Sequence, residues 1–316
     1  MVFLILIFGV FSCATSVIFI RWSETDPVML TAYRLILGGL FLLPFYLRAK
    51  EQHRFRMDAA FVRKIVPPAL FLALHFVSWI MGARMTPAAN ATLIVNMVPV
   101  AMPFTLWFLL RERLTRPEIA GTVFALTGVV LLGIGDFRLS AEYALGDAVC
   151  FLSMLGYALY LTAARRNRDI PSVYLYVVPV YLLASVFALG GAALAFPFGG
   201  VGNVIGPDIH RELFCILALG AIPTVLGHSI INWSLRHMRG QTVAIVNLHQ
   251  FVFAGILAFF VFTEVPAPYF WVACLLVISG AVVVIRQKAP VEAAPSPSRE
   301  KKTAPRPQRP GGGEKT

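Results

Sequence analysis

Long apolar runs separated by short polar breaks follow one another from Met1 to Ile285. Ten runs can be drawn, at about 1–20, 27–47, 65–83, 87–109, 118–135, 146–163, 173–196, 213–235, 241–262 and 267–285. Each is close to the ~20 residues an α-helix needs to cross the hydrocarbon of a bilayer. Lipid offers the backbone no hydrogen-bond partner, so each run is expected to be helical. None has the period-two alternation of a membrane barrel strand. The predicted class is therefore an all-α integral membrane protein with ten transmembrane helices. In the first run Val10-Phe11-Ser12-Cys13 has the look of a lipoprotein cleavage box. It lacks a basic leader, however, and stays apolar to Ile20, so a retained helix is expected. After residue 286 the pattern stops. Residues 287–316 hold six prolines, a glycine triplet and many Lys and Arg. This is the composition of a disordered, solvated tail, which next to a bilayer can touch anionic lipid heads.

Composition agrees with the pattern. Of 316 residues, 58% are hydrophobic and 14% charged, against about 45–50% and about 25% in soluble domains. An ordinary soluble domain is excluded. The four cysteines, Cys13, Cys150, Cys215 and Cys274, lie far apart inside apolar runs, which suits buried thiols rather than disulfides or a zinc site.

Charge changes the picture more. The net charge of +11 would suit a nucleic-acid partner if the basic residues were clustered at random. Instead, 22 of the 27 Lys and Arg fall in alternate connections and the tail, among them Arg48, Lys64, Arg111, Arg113, Arg165 and Arg239. Only Arg21, Arg84, Arg138 and Arg211 fall on the other side, and Arg34 lies within the second run. This asymmetry is the positive-inside pattern. It places both termini in the cytoplasm, requires an even number of spans, and accounts for the charge without nucleic acid. The expected location is the inner cell membrane.

An offset of about 152 residues superimposes the two halves of the chain. Glu112 then matches Glu264, Thr127-Gly128 matches Ser279-Gly280, and His75 and Asn96 fall within one residue of His228 and Asn247. Five runs per half is an odd number, so the halves must insert with opposite orientation. Inverted repeats of this kind are a transporter signature, with the site near the midplane between them. The expected organisation is one repeat over residues 1–137, a second over 145–286, and the tail 287–316.

Taken in order, these pieces resemble the ten-helix, EamA-like branch of the drug/metabolite transporter superfamily. The resemblance covers about residues 1–286. It is carried by Ala32-Tyr33-Arg34-Leu35, by Ala88 to Pro99, by Leu110-Arg111-Glu112-Arg113-Leu114-Thr115, and by Gly121 with Thr127-Gly128-Val129. In the second half it is carried by Gly156-Tyr157-Ala158-Leu159-Tyr160, Thr263-Glu264 and Ser279-Gly280. Two departures fall on helices that line the cavity in that family. The Trp-Gly pair often found in its first helix is Ser12-Cys13-Ala14-Thr15 here. The proline often found in its ninth is replaced by Leu248-His249-Gln250-Phe251. Both bear on the substrate rather than on the fold.

Polar side chains within the runs are the candidate site. A mid-span Arg costs about 2.5–3.5 kcal/mol on insertion scales, so such residues should face the bundle interior. Arg34 reads either as an anchor for a carboxylate or phosphate or as a clamp on backbone carbonyls. His75 and Trp79 share a helix face, as do His228 with Asn232 and Asn247 with Gln250. With Asn90, Asn96, Tyr157, Tyr160 and His249 they would form an aromatic and amide wall suited to an amphipathic small molecule. No Asp or Glu lies near the middle of any run. If protons are coupled, His75, His228 or His249 must carry them, and a facilitator or exchanger is the preferred reading. The sequence calls for no cofactor, catalytic residue or metal: it has no H-E-x-x-H and no G-x-S-x-G. The resemblance implies export of amino acids or related metabolites by alternating access. The rival readings are a lipid or drug translocator, a receptor and an intramembrane enzyme. A monomer and a homodimer are equally compatible.

Overall fold

The structure, a computed structural model, describes residues 1–86, 88–136, 142–195, 200–263 and 268–286. The expected tail, Arg138 and Glu264 therefore lie outside the described residues. Among those described, every regular element is helical, and nine stretches are long and apolar enough to cross a membrane.

The first rod is α1 (Val2–Ala14) continued by α2 (Ser16–Trp22), followed by α3 (Pro27–Gln52) and α4 (Ala59–Met85). The fourth is α5 (Ala88–Asn96) continued by α6 (Val98–Leu110). Then come α7 (Arg116–Asp136), α8 (Ala144–Arg166) and α9 (Val173–Ala195). The eighth joins α10 (Ile209–Leu219), a π-helical stretch Gly220–His228 and α11 (Ser229–His237). The last two are α12 (Gly240–Asn247) continued by α13 (His249–Phe262), and α14 (Pro268–Ile285). The rod outside the nine is the 21-residue α7, which packs along α14.

Local chemistry sets the starts. Asp26 caps α3 by accepting from Val28 N and Met29 N, and Pro27 occupies the first helical position, where no N–H is needed. Asp58 and Asp208 cap α4 and α10 in the same way. Thr115 and Glu118 form a capping box at the head of α7: Thr115 N donates to Glu118 Oε2 at 2.8 Å, and Glu118 N donates to Thr115 Oγ1 at 3.4 Å.

Packing has a two-fold pattern. α3 lies along α9 and α7 along α14, while α4 on α8 is mirrored by the π-helical stretch on α1. Exchanging the halves carries the first two contacts onto themselves and interchanges the other two. The glycines show the direction. A Cβ built on Gly121 would lie 2.6 Å from Gly280 O, and one on Gly128 would lie 2.7 Å from Ala273 O. As one helix is followed forward its partner runs backward, so α7 and α14 are antiparallel. The 152-residue offset turns the first of these contacts into the second. Large apolar side chains face outward, Phe8, Phe45, Phe104, Phe108, Phe260, Trp271 and Leu275 among them. Such a surface fits lipid rather than water.

Both ends are tied by buried carboxylates. At the end richer in Lys and Arg, here the basic end, Glu118 is fully buried and accepts from Arg239 Nε at 2.8 Å. Arg165 pairs with Glu112 at 3.4 Å and donates to Leu235 O at 2.8 Å. At the opposite end the fully buried Glu212 accepts from Ser23 Oγ, Thr25 Oγ1 and Glu24 N. Arg84 donates to the carbonyls of Ser23 and Thr25, both at 2.9 Å.

Candidate functional site, a cavity between the halves

Four of the rods break in mid-course: at Thr15, at Met97, through Gly220–His228 and at Leu248. Pro99 explains one break and Pro223 another, since each removes a backbone donor from the ladder. The other two contain no proline. At Thr15 the hydroxyl donates to Ser12 O at 2.7 Å, and Ser12 Oγ donates to Phe8 O at 2.9 Å, a bonding pattern that bends helices. At Leu248 the His249 Nδ1 donates to Val246 O at 2.9 Å. All four breaks border one cavity.

That cavity holds about 570 Å³ of empty space, part of it open to the exterior. Of the predicted site residues, Arg34, His75, Trp79, Asn96, Tyr157, His228 and Gln250 line it. The two histidines, one from each half, meet with ring centroids 6.2 Å apart. The His75 ring stacks on Tyr157 at 4.4 Å. Its Nδ1 lies 3.1 Å from Ser153 O, while Ser153 Oγ donates to His75 O at 3.0 Å. Ser153 Oγ also lies 2.9 Å from Nδ1, so the hydroxyl and the carbonyl of Ser153 both meet this one ring nitrogen. His228 Nδ1 is buried with no hydrogen-bond partner. Tyr157 Oη is directed toward the Asn247 and Gln250 amides without completing a hydrogen bond to either.

Four further predicted residues are not part of the lining: Tyr160, Asn232 and Asn247 sit about one turn closer to the basic end, and His249 adjoins Gln250 in the chain. Asn232 Nδ2 donates to Tyr160 Oη and to His228 O, both at 2.6 Å. Asn247 accepts from Gln250 at 2.5 Å, and His249 is buried. They form a polar layer that holds the lining in place. The side chain of Asn90 lies outside the described residues.

Arg34, for which the sequence left an anchor and a clamp open, makes contacts of the clamping kind. It is 1% exposed. Its Nε donates to Thr224 Oγ1 at 3.1 Å in the π-helical stretch, and its Cζ lies 4.0 Å above the Phe76 ring. Nη1 and Nη2 have no partner. Sequence reasoning missed Phe76, Cys13, Ser16, Val17 and Ala254 on the wall. None carries a costly polar group; Ser16 and Val17 lie beside a helix break, Phe76 lies on the unbroken α4, and Cys13 carried the further signal of the departure from the family pattern. Thr224 was also missed; its signal was the adjacent Pro223.

Toward the basic end the cavity is sealed. Below the floor, Gln241 Nε2 donates to Pro99 O at 3.0 Å and Thr122 Oγ1 at 2.8 Å. Below that lies the layer of Glu112, Glu118, Arg165 and Arg239. The lining contributed by Val17, Trp79 and Ala254 lies on the half of each rod nearer the opposite end.

A multi-pass helical bundle with a polar central cavity between two like halves is a membrane transporter. The sequence profile of the EamA-like transporter family matches residues 1–134 and 144–286, and the chain belongs to that family. A protein of Archaeoglobus fulgidus named as an uncharacterized transporter is 25% identical over 273 residues, covering 85% of this chain and 91% of its own. An aromatic amino acid exporter, YddG, of Ancylobacter novellus is 25% identical over 205 residues, 63% of this chain and 68% of its own. A protein of known crystal structure superposes with a TM-score of 0.70 at 20% identity, covering 91% of this chain and 99% of its own.

Proposed function

We propose that this protein exports amino acids or related small metabolites across the inner cell membrane by alternating access. The halves 1–137 and 145–286 act as inverted repeats, and both termini, with the basic tail, face the cytoplasm. The observation that carries the reading is the cavity, into which both halves send polar and aromatic side chains at the breaks of four rods. Broken helices around a midplane site are the usual architecture of secondary transporters, because unwound backbone is tolerated only where it lines a cavity. The name of the Ancylobacter relative supports amino acids as substrate, and the stacked His75–Tyr157 pair with Trp79 suits an aromatic body. Substrate enters while the basic end is open. The rods bearing the two histidines, with their broken neighbours, then close that end and open the other.

A thermal-stability screen of the purified protein against amino acids, nucleosides, sugar phosphates and drugs tests this reading, since a ligand that binds the folded state raises Tm by mass action. The expected result is a hit among amino acids that disappears in Trp79→Ala or Asn96→Ala. A hit unaffected by either change would place the site elsewhere.

A further inference from the structure

The chemistry of the cavity narrows the substrate, and this step rests on the transport reading above. Arg34 borders the cavity, and its two terminal guanidinium nitrogens are themselves buried and lack a partner. An unmatched cation and two unmet donor groups are costly in a low-dielectric site. The remaining nitrogen is spent on Thr224, and this contact together with Phe76 fixes the plane of the fork. Phe76 also touches His228, with ring centroids 4.8 Å apart, so the orphaned Nδ1 of His228 belongs to the same corner. Among the described residues, none that lines the cavity is Asp or Glu. The wall therefore offers positive charge and hydrogen-bond donors, and no opposite charge for an ammonium group.

We infer that the cavity selects organic carboxylates: a substrate carboxylate docks on Nη1 and Nη2 of Arg34, and an α-ammonium group is not required for binding. A planar carboxylate matches the guanidinium fork with two parallel charge-assisted hydrogen bonds. The apolar or aromatic remainder packs against Trp79 and the His75–Tyr157 stack. N-acylated amino acids and aryl carboxylates are then ligands as well as free amino acids.

Four probes test this on the full-length protein in lipid nanodiscs: N-acetyl-L-phenylalanine, L-phenylalanine, L-phenylalaninamide and phenyl phosphate. The two carboxylates should bind with comparable Kd. The amide should bind more weakly by about tenfold to a hundredfold, the value of a charge-assisted hydrogen bond. Arg34→Lys keeps the charge and loses the fork, so it should weaken both carboxylates and leave the amide unchanged. Binding of the amide as tight as that of the acid overturns the inference, as does carboxylate binding unchanged in Arg34→Lys. Preference for phenyl phosphate overturns it too. If Arg34→Lys does not fold, the acid–amide comparison on the unaltered protein decides. Trp79→Ala separates the two levels of argument. If the amide binds as well as the acids and Trp79→Ala abolishes all binding, the cavity reading stands and the carboxylate inference fails. Silence from all four probes at millimolar concentration contradicts both.

Discussion

Glu118 offers the sharpest test of the seal at the basic end. Its carboxylate accepts from Arg239 Nε at 2.8 Å, Thr115 N at 2.8 Å, Thr115 Oγ1 at 3.1 Å and Thr242 Oγ1 at 3.4 Å. The pair is hardly screened, because Glu118 is fully buried and Arg239 is 13% exposed. Glu118→Gln keeps the shape but removes the charge. It turns one acceptor oxygen into a donor that must face either Arg239 Nε or Thr115 N. Losing one charge-assisted hydrogen bond costs about 2 kcal/mol. If the bond exists only while the basic end is closed, the same ~2 kcal/mol shifts the closed-to-open equilibrium about 30-fold. The four native cysteines are buried and free, so they can be replaced by alanine and a reporter installed as Leu106→Cys, at a fully buried position on α6. Labelling by an impermeant maleimide applied from the basic side should then accelerate about 30-fold in Glu118→Gln. Glu24→Gln, which disturbs the exposed Arg211–Glu24 pair at the far end, should leave the rate unchanged, since surface pairs are worth at most ~1 kcal/mol. A labelling rate unaffected by Glu118→Gln in a folded protein would refute the assignment of this layer as a gate.

The remaining predictions concern packing and the layer beneath the floor. Gly280→Ala brings a Cβ to 2.5 Å from Gly121 O, a backbone atom that can retreat only if α7 and α14 separate. A loss of about 1–3 kcal/mol and a lower Tm follow. Gly190→Ala meets nothing within 4 Å, so the better helix propensity of alanine should raise stability by up to ~1 kcal/mol, measured in the same thermal assay. Asn232→Leu removes the donor to Tyr160 Oη and His228 O. It should cost about 1–3 kcal/mol and weaken ligand binding by displacing His228, read as a lower Tm together with a higher Kd for L-phenylalanine.

Much of the fold can be read from particular residues. Asp26-Pro27 and Thr115-Arg116-Pro117-Glu118 mark helix starts by chemistry that acts within four residues. The repeat matched the positions of His75 and His228 and both were candidate site residues; in the structure their rings lie 6.2 Å apart. Legibility ended where depth mattered. Tyr157 and Tyr160 share a face and stack at 6.3 Å, yet one lines the cavity while the other sits a turn below it, bound to Asn232. Spacing along a helix reports direction around its axis and says little about height. Inside a bilayer, moreover, the apolar contrast between lipid-facing and core-facing sides is weak. The breaks at Thr15 and Leu248 were equally hidden, because a hydroxyl or an imidazole bonded to a nearby carbonyl leaves no proline to find. Both fall where this chain departs from the family pattern, so the departures mark the cavity wall.

The most direct test of the central claim is counterflow. Proteoliposomes containing the full-length protein are loaded with unlabelled L-phenylalanine and diluted into a trace of the labelled compound. The account predicts transient accumulation of label above that in empty liposomes, and its loss in folded Trp79→Ala. Accumulation undiminished by Trp79→Ala, or no accumulation with any amino acid, would contradict transport through this cavity.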